Sequence, residues 1–172
     1  MSGAIHDEHP FHTPDDLRDP VRQLRGRLPA PVTIVTAGAG AARTGLTVSS
    51  LVVAEGDPGR VYFLLGPATD LYEVLHHTSR FVVHVLEERH RGLSDVFAGV
   101  RPSPGGLFVG VAVEDTEWGP VLSDVTTRAF CTYRGGVEES FSFLVSGTID
   151  RVEIADLMDP LLYFRGSYRS FG

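Results

Sequence analysis

The chain has 172 residues, 42% of them apolar and 22% charged, and a formal net charge of −7. That size and composition fit one domain with a hydrophobic core of its own. The acidic balance, with no Lys/Arg block, argues against nucleic acid and membrane surfaces as partners, and the lone Cys131 excludes an intramolecular disulfide and suits a reducing cytoplasm.

Residues 1–12 read as a mobile tail. It carries His6, His9 and His12, but Pro10 spoils a helical spacing between them and no metal site is expected. No apolar signal core occurs near the start, and no run approaches the ~18 apolar residues of a membrane span, so the expectation is a cytoplasmic protein. From residue 13 to 172 the chain shows no linker or repeat and reads as a single domain. Thr13-Pro14-Asp15-Asp16 is a helix start, with a capping threonine, a first-turn proline and acids at the positive end of the dipole. Pro20 breaks or restarts that helix. Val21, Leu24 and Leu28 then form one apolar stripe, ended by Pro29 and Pro31.

The β-branched run Val32–Thr36 reads as a strand and enters a flexible turn, Ala37–Ala42. A strand followed by Gly38-x-Gly40 invites a dinucleotide-binding fold with Glu55 as the ribose acid. The third glycine is missing, however, and the stretch from Thr44 to Val53 is too rich in Thr, Val and Ser to be the required helix. A long β-hairpin is the better account. Within it, Thr47 and Ser49 share one face and Leu46 and Val48 the other, while Gly45 permits a sharp turn or a close approach. Such a strand suits a polar ligand held edge-on, although Thr and Ser facing water is the simpler reading of these residues alone.

Asp57-Pro58-Gly59 is a turn, and Val61–Leu65 is the next strand. Gly66–Asp70 breaks it and caps a helix with Leu71, Val74 and Leu75 inward. Phe81–Leu86 is a buried strand carrying His84; a histidine in such a strand is more often a satisfied core residue than a ligand contact. Leu93–Ala98 is a short helix and Arg101–Gly106 a loop. Val109–Val113, Arg128–Arg134 and Phe141–Ile149 read as further strands, the last continuing through Arg151–Ile154. So many strands with two or three small helices predict a closed antiparallel barrel. No Gly-x-Ser-x-Gly elbow, Walker lysine, His-Glu-x-x-His or paired cysteines are present. The carboxylate pairs Glu87-Glu88 and Glu138-Glu139 are adjacent, so on strands they point to opposite faces. If the protein is an enzyme, a cofactor supplies the chemistry.

The order of several short motifs is distinctive. The short helix, the strand Val32–Thr36, Gly45-Leu-Thr-Val-Ser-Ser-Leu and Thr78-Ser-Arg-Phe-Val-Val-His-Val-Leu follow one another. Leu93-Ser94 with Phe97-Ala98 comes next, and Pro160-Leu-Leu-Tyr-Phe-Arg-Gly-Ser-Tyr-Arg closes the chain. Together these resemble the flavin reductase-like family over roughly residue 20 to the end. The resemblance implies a mainly β, antiparallel Greek-key split β-barrel with a few short peripheral helices, usually a homodimer with FMN at the subunit interface. It implies cofactor contacts at Gly45, Thr47, Val48, Ser49 and Ser50, phosphate near Ala68 and Thr69, and closure by Phe164, Arg165 and Tyr168. FMN is the expected flavin, with FAD as the alternative, and NADH or NADPH the electron donor. A partner monooxygenase would receive the reduced flavin.

The chain departs from the family pattern at four places. Ser142 stands where many members carry a histidine near the nicotinamide pocket. His84, an expected cofactor contact, replaces a common asparagine and could take over its hydrogen bond or respond to pH, and His90 replaces a usual glutamine. Thr69 and Leu71 replace a Ser-x-Thr pair. The leading function is an FMN-dependent NAD(P)H:flavin oxidoreductase, and a flavin carrier or sensor without nicotinamide turnover is the second reading. A flavoenzyme acting on another organic substrate is a third.

Overall fold

The computed structural model describes residues 19–171. The expected tail, its three histidines and the helix start at Thr13–Asp16 lie outside the described residues. Helix α1, Pro20–Gly26, opens at Pro20, with the Asp19 carboxylate accepting the Val21 N–H at 3.0 Å. Pro20 therefore starts a helix, as a residue lacking its own donor can at the first position. The apolar stripe predicted here is not buried within the chain: Val21, Leu24 and Leu28 are 70%, 62% and 61% exposed, and Leu28 lies beyond the helix end.

The strands follow as β1 Ala30–Pro31, β2 Thr33–Ala37, β3 Thr44–Val48, β4 Val52–Ala54 and β5 Arg60–Leu65. Helix α2, Asp70–Thr78, leads into β6, Arg80–Val85, and helix α3 is Arg91–Phe97. Then come β7 Val113–Thr116, β8 Gly119–Leu122, β9 Arg128–Glu139, β10 Ser142–Glu153, β11 Leu162–Phe164 and β12 Ser167–Arg169. The architecture is mainly β and antiparallel, with three short α-helices among the described residues.

One seven-stranded sheet carries the fold, in the order β3-β2-β6-β9-β10-β5-β4. Its two edges, β3 and β4, are consecutive in sequence and separated only by residues 49–51. Four Cα steps reach at most ~14 Å, whereas seven flat strands would span about 29 Å. The sheet must roll until its edges approach. No ladder joins β3 to β4, so the closed barrel expected from the strand count is corrected to a rolled sheet with open edges. The long hairpin expected from Val32–Thr36 into Thr44–Val53 forms with β2, but its second arm is divided. Its first half pairs with β2, and the second crosses to pair with β5.

β2 is buried along its whole length because both its faces are covered. Val35 and Ala37 join Phe63, Leu65, Phe81, Val145 and the α2 residues Leu71 and Leu75 in the larger core cluster. Val32 and Ile34 face a second cluster with Leu86, Phe97, Leu122 and Leu161. β9 and β10, 12 residues each, form a hairpin, and with register shifts after Ser146 and Ile149 β10 runs on through Arg151 as expected.

The strand predicted at Val109–Val113 is absent. Gly105, Gly106 and Gly110 take φ of +91°, +116° and +74°, which turns the chain and lays Leu107, Phe108 and Val111 against the second cluster. The strand begins only at Val113, and its hairpin partner β8 carried no expectation. At the C-terminus Arg165 and Gly166, with φ of +51° and +78°, make the two-residue turn joining β11 to β12. This hairpin pairs with β1 in a separate three-stranded sheet.

Candidate functional site

A cavity of about 240 Å³ lies where three elements meet. β3 contributes Thr44, Gly45 and Leu46; the start of α2 contributes Ala68 through Leu71; the end of α3 contributes Phe97, Ala98 and Gly99. Leu107, from the glycine-rich loop, completes the lining. Three of the expected positions, Gly45, Ala68 and Thr69, are thus brought into one cavity from segments more than twenty residues apart.

Gly45 is required by packing. A Cβ there would sit 2.7 Å from the Phe97 ring, closer than side chains tolerate, while Phe97 is itself buried and edge-on to Phe108. The α2 end is open to a polar ligand. Thr69 occupies the cap position, yet its hydroxyl donates back to the Gly66 carbonyl at 2.9 Å, and no side chain caps the first-turn amides. Uncapped amides at the positive end of a helix favour an anion. Asp70, which also lines the cavity, opposes that tendency with its own charge.

Thr47 and Tyr168 meet at a second point, through Ser94. The Thr47 hydroxyl donates to the Ser94 carbonyl at 2.7 Å, and the Ser94 and Tyr168 hydroxyls lie 2.9 Å apart. Ser94 is fully buried. Burial, with Asp95 nearby, pushes the Tyr168 phenol up to about 12 despite the Ser94 hydrogen bond, so it stays protonated. Ser50 also has structural partners: its Oγ accepts the Leu64 N–H at 2.9 Å, tying the edge-to-edge connection to β5. Ser49 is half-buried on that connection.

The remaining expected residues do not line the cavity. Val48 is buried in the larger core cluster, because its side chain points opposite to Thr47. His84 is a core residue: one ring nitrogen lies 3.1 Å from the Ile34 carbonyl, and the other accepts the Leu122 N–H at 3.1 Å. Desolvation by burial lowers its pKa to about 3. Both ring nitrogens are thus engaged inside the protein. Phe164 and Arg165 sit at the tip of the β11–β12 hairpin, where the Arg165 N–H donates to the Gly26 carbonyl. Ser142 starts β10, and its neighbour Phe143 stacks on Tyr72 at 4.1 Å, beside a separate open groove of about 570 Å³. Sequence reasoning missed Ser94, Phe97, Asp70 and Leu107 as site residues. The Leu93-Ser94 and Phe97-Ala98 pairs were visible as motifs, but their contacts with β3 are non-local.

Among the described residues, no group of three metal-binding side chains converges and no helix is long and apolar enough to cross a membrane. The cavity is walled by apolar side chains together with Thr44, Thr69 and Asp70.

Comparison with known proteins gives this geometry a context. The family model described as "Flavin reductase like domain" matches residues 25–172. A curated relative from Thermus thermophilus, the reductase component of 4-hydroxyphenylacetate 3-monooxygenase, is 27% identical over 89% of this chain and 96% of its own. An NADH-dependent FMN reductase of Streptomyces nodosus subsp. asukaensis is 29% identical over 88% of this chain and 83% of its own. Among solved structures, an NADH:FAD oxidoreductase of Streptomyces globisporus superposes with a TM-score of 0.80 at 23% identity, covering 93% of this chain and 99% of that one.

Proposed function

The chain belongs to the flavin reductase like domain family, and on that premise we propose that it is an FMN-dependent NAD(P)H:flavin oxidoreductase supplying reduced flavin to a partner oxygenase. The observation that carries this reading is the cavity at the uncapped first turn of α2, walled by Gly45, Ala68 and Thr69. Relatives named as an FMN reductase and as the reductase component of a monooxygenase support it. At about 240 Å³ the cavity is smaller than the roughly 300–1,000 Å³ of a complete small-molecule site. It fits one end of a flavin. The amides of α2 would take the phosphate, with Ala68 and Thr69 beside it. The Gly45–Ser50 segment and Phe164, Arg165 and Tyr168 would hold the rest, in a homodimer whose second copy completes the site. Ser142 would lie toward the nicotinamide.

Bound flavin supplies the redox chemistry, the uptake of a hydride from reduced nicotinamide. The chain's own work is binding and orientation. Gly45 admits the Phe97 ring, and Phe97 and Leu107 wall the cavity. We read residues 13–172 as one cytoplasmic domain and the rolled sheet as a Greek-key split barrel. The test is to follow oxidation of NADH and then NADPH by absorbance, with and without added FMN. Turnover that saturates with FMN is expected. Flavin binding without turnover would leave a carrier, and neither binding nor turnover would refute the reading.

A further inference from the structure

α3 is held at two points by one residue. The Ser94 carbonyl accepts both the Ala98 N–H, at 2.9 Å, and the Thr47 hydroxyl, at 2.7 Å, so both its lone pairs are engaged. The Ser94 hydroxyl lies 2.9 Å from the Tyr168 hydroxyl on β12. One buried side chain and its carbonyl therefore join β3, α3 and the C-terminal hairpin, whose residues are 47 and 74 positions away. One turn further along α3, Phe97, Ala98 and Gly99 wall the cavity. The clearance there is small, since a single added Cβ on Gly45 would meet the Phe97 ring at 2.7 Å. A shift of α3 by a fraction of an ångström changes the cavity.

We propose that Ser94 is a positioning residue for flavin binding: it ties Thr47 and Tyr168 to α3 and so sets the cavity wall formed by Phe97, Ala98 and Gly99. This rests on the flavin reductase reading above. It also changes the part played by Thr47 and Tyr168, whose hydroxyls act on the ligand through α3 rather than by touching it. Ser94 adjoins the site without lining it, and its effect passes through Phe97.

The experiment is a double-mutant cycle read by FMN titration, using quenching of flavin fluorescence. Ser94→Ala and Tyr168→Phe should each weaken FMN affinity by about threefold to tenfold, the scale of one lost hydrogen bond. The double variant should be no weaker than the worse single one, because both remove the same link. Thr47→Ser should keep near wild-type affinity and Thr47→Val should lose it. In turnover, the KM for flavin should rise by a larger factor than kcat falls. Additive losses would overturn the proposal, as would variants that melt at lower temperature but bind FMN like the wild type. If Ser94→Ala does not fold, Tyr168→Phe and Thr47→Val, each breaking a different link to Ser94, should each weaken FMN binding, and wild-type affinity in both would overturn the proposal. A wild-type protein that binds no FMN would overturn both this inference and the proposed function; wild-type binding matched by every variant would overturn this inference alone.

Discussion

Protonation of His84 offers a quantitative test of how the core is wired. The ring spans β2 and β8, facing the Ile34 carbonyl through Nδ1 and accepting the Leu122 N–H through Nε2. That arrangement needs a neutral ring with its proton on Nδ1. A second proton would set N–H against N–H in a fully buried place, with the Arg128 charge adding to the penalty. The folded pKa is accordingly lowered from 6.5 to about 3, first by desolvation. The unfolded chain binds this proton below ~6.5 while the folded one does not, so acid favours unfolding. His84 therefore makes stability fall as pH drops from about 6.5 towards 3, and the loss levels off below that. At ~1.4 kcal/mol per pKa unit the full effect is about 5 kcal/mol, of which about 2 kcal/mol is reached at pH ~5. Urea unfolding at a series of pH values should show this slope in the wild type. His84→Asn should be less stable near neutrality, since the shorter side chain cannot span both partners, and its profile should be flatter. The depressed pKa of His90 contributes to both proteins and cancels in the difference. Equal slopes, or an NMR titration of the His84 ring with a midpoint near 6.5, would refute the reasoning.

Two further outcomes follow from the cavity. Gly45→Ala should destabilise the fold by about 1–3 kcal/mol, because the buried Phe97 ring must move to admit a methyl group; a melting temperature equal to wild type would show that the ring has room. Asp70→Asn should tighten FMN about two- to fivefold while leaving riboflavin, which lacks the phosphate, unchanged. Equal effects on both ligands in parallel titrations would place the phosphate away from α2.

Much of the fold was legible locally. The β-branched runs at Val32–Thr36 and Val61–Leu65, the turn at Asp57–Gly59 and the helix after Thr69 each appear within a residue or two of their expected bounds. These depend on backbone preference and on side-chain alternation, which act over a few residues. The Val109–Val113 segment misled because alternating apolar residues also arise where a glycine-rich turn lays Val111 and Val113 onto a core and leaves Val109 exposed. Likewise the stripe of Val21, Leu24 and Leu28 has helical spacing, but periodicity does not specify what a face packs against.

The site divides along the same line. That Thr47 would face opposite to Leu46 and Val48 was determined by sequence, because alternation along a strand is covalent geometry. Which hydroxyls stay available was decided by tertiary structure. Thr47 is satisfied by α3 and Ser50 by β5, while His84 draws its partners from strands 50 and 38 positions away. The ordered motifs were enough to point to a flavin reductase-like chain. The cavity itself exists only because tertiary packing brings the first turn of α2 and the end of α3 beside β3. Such contacts are set by how elements pack, and no window of neighbouring residues encodes them.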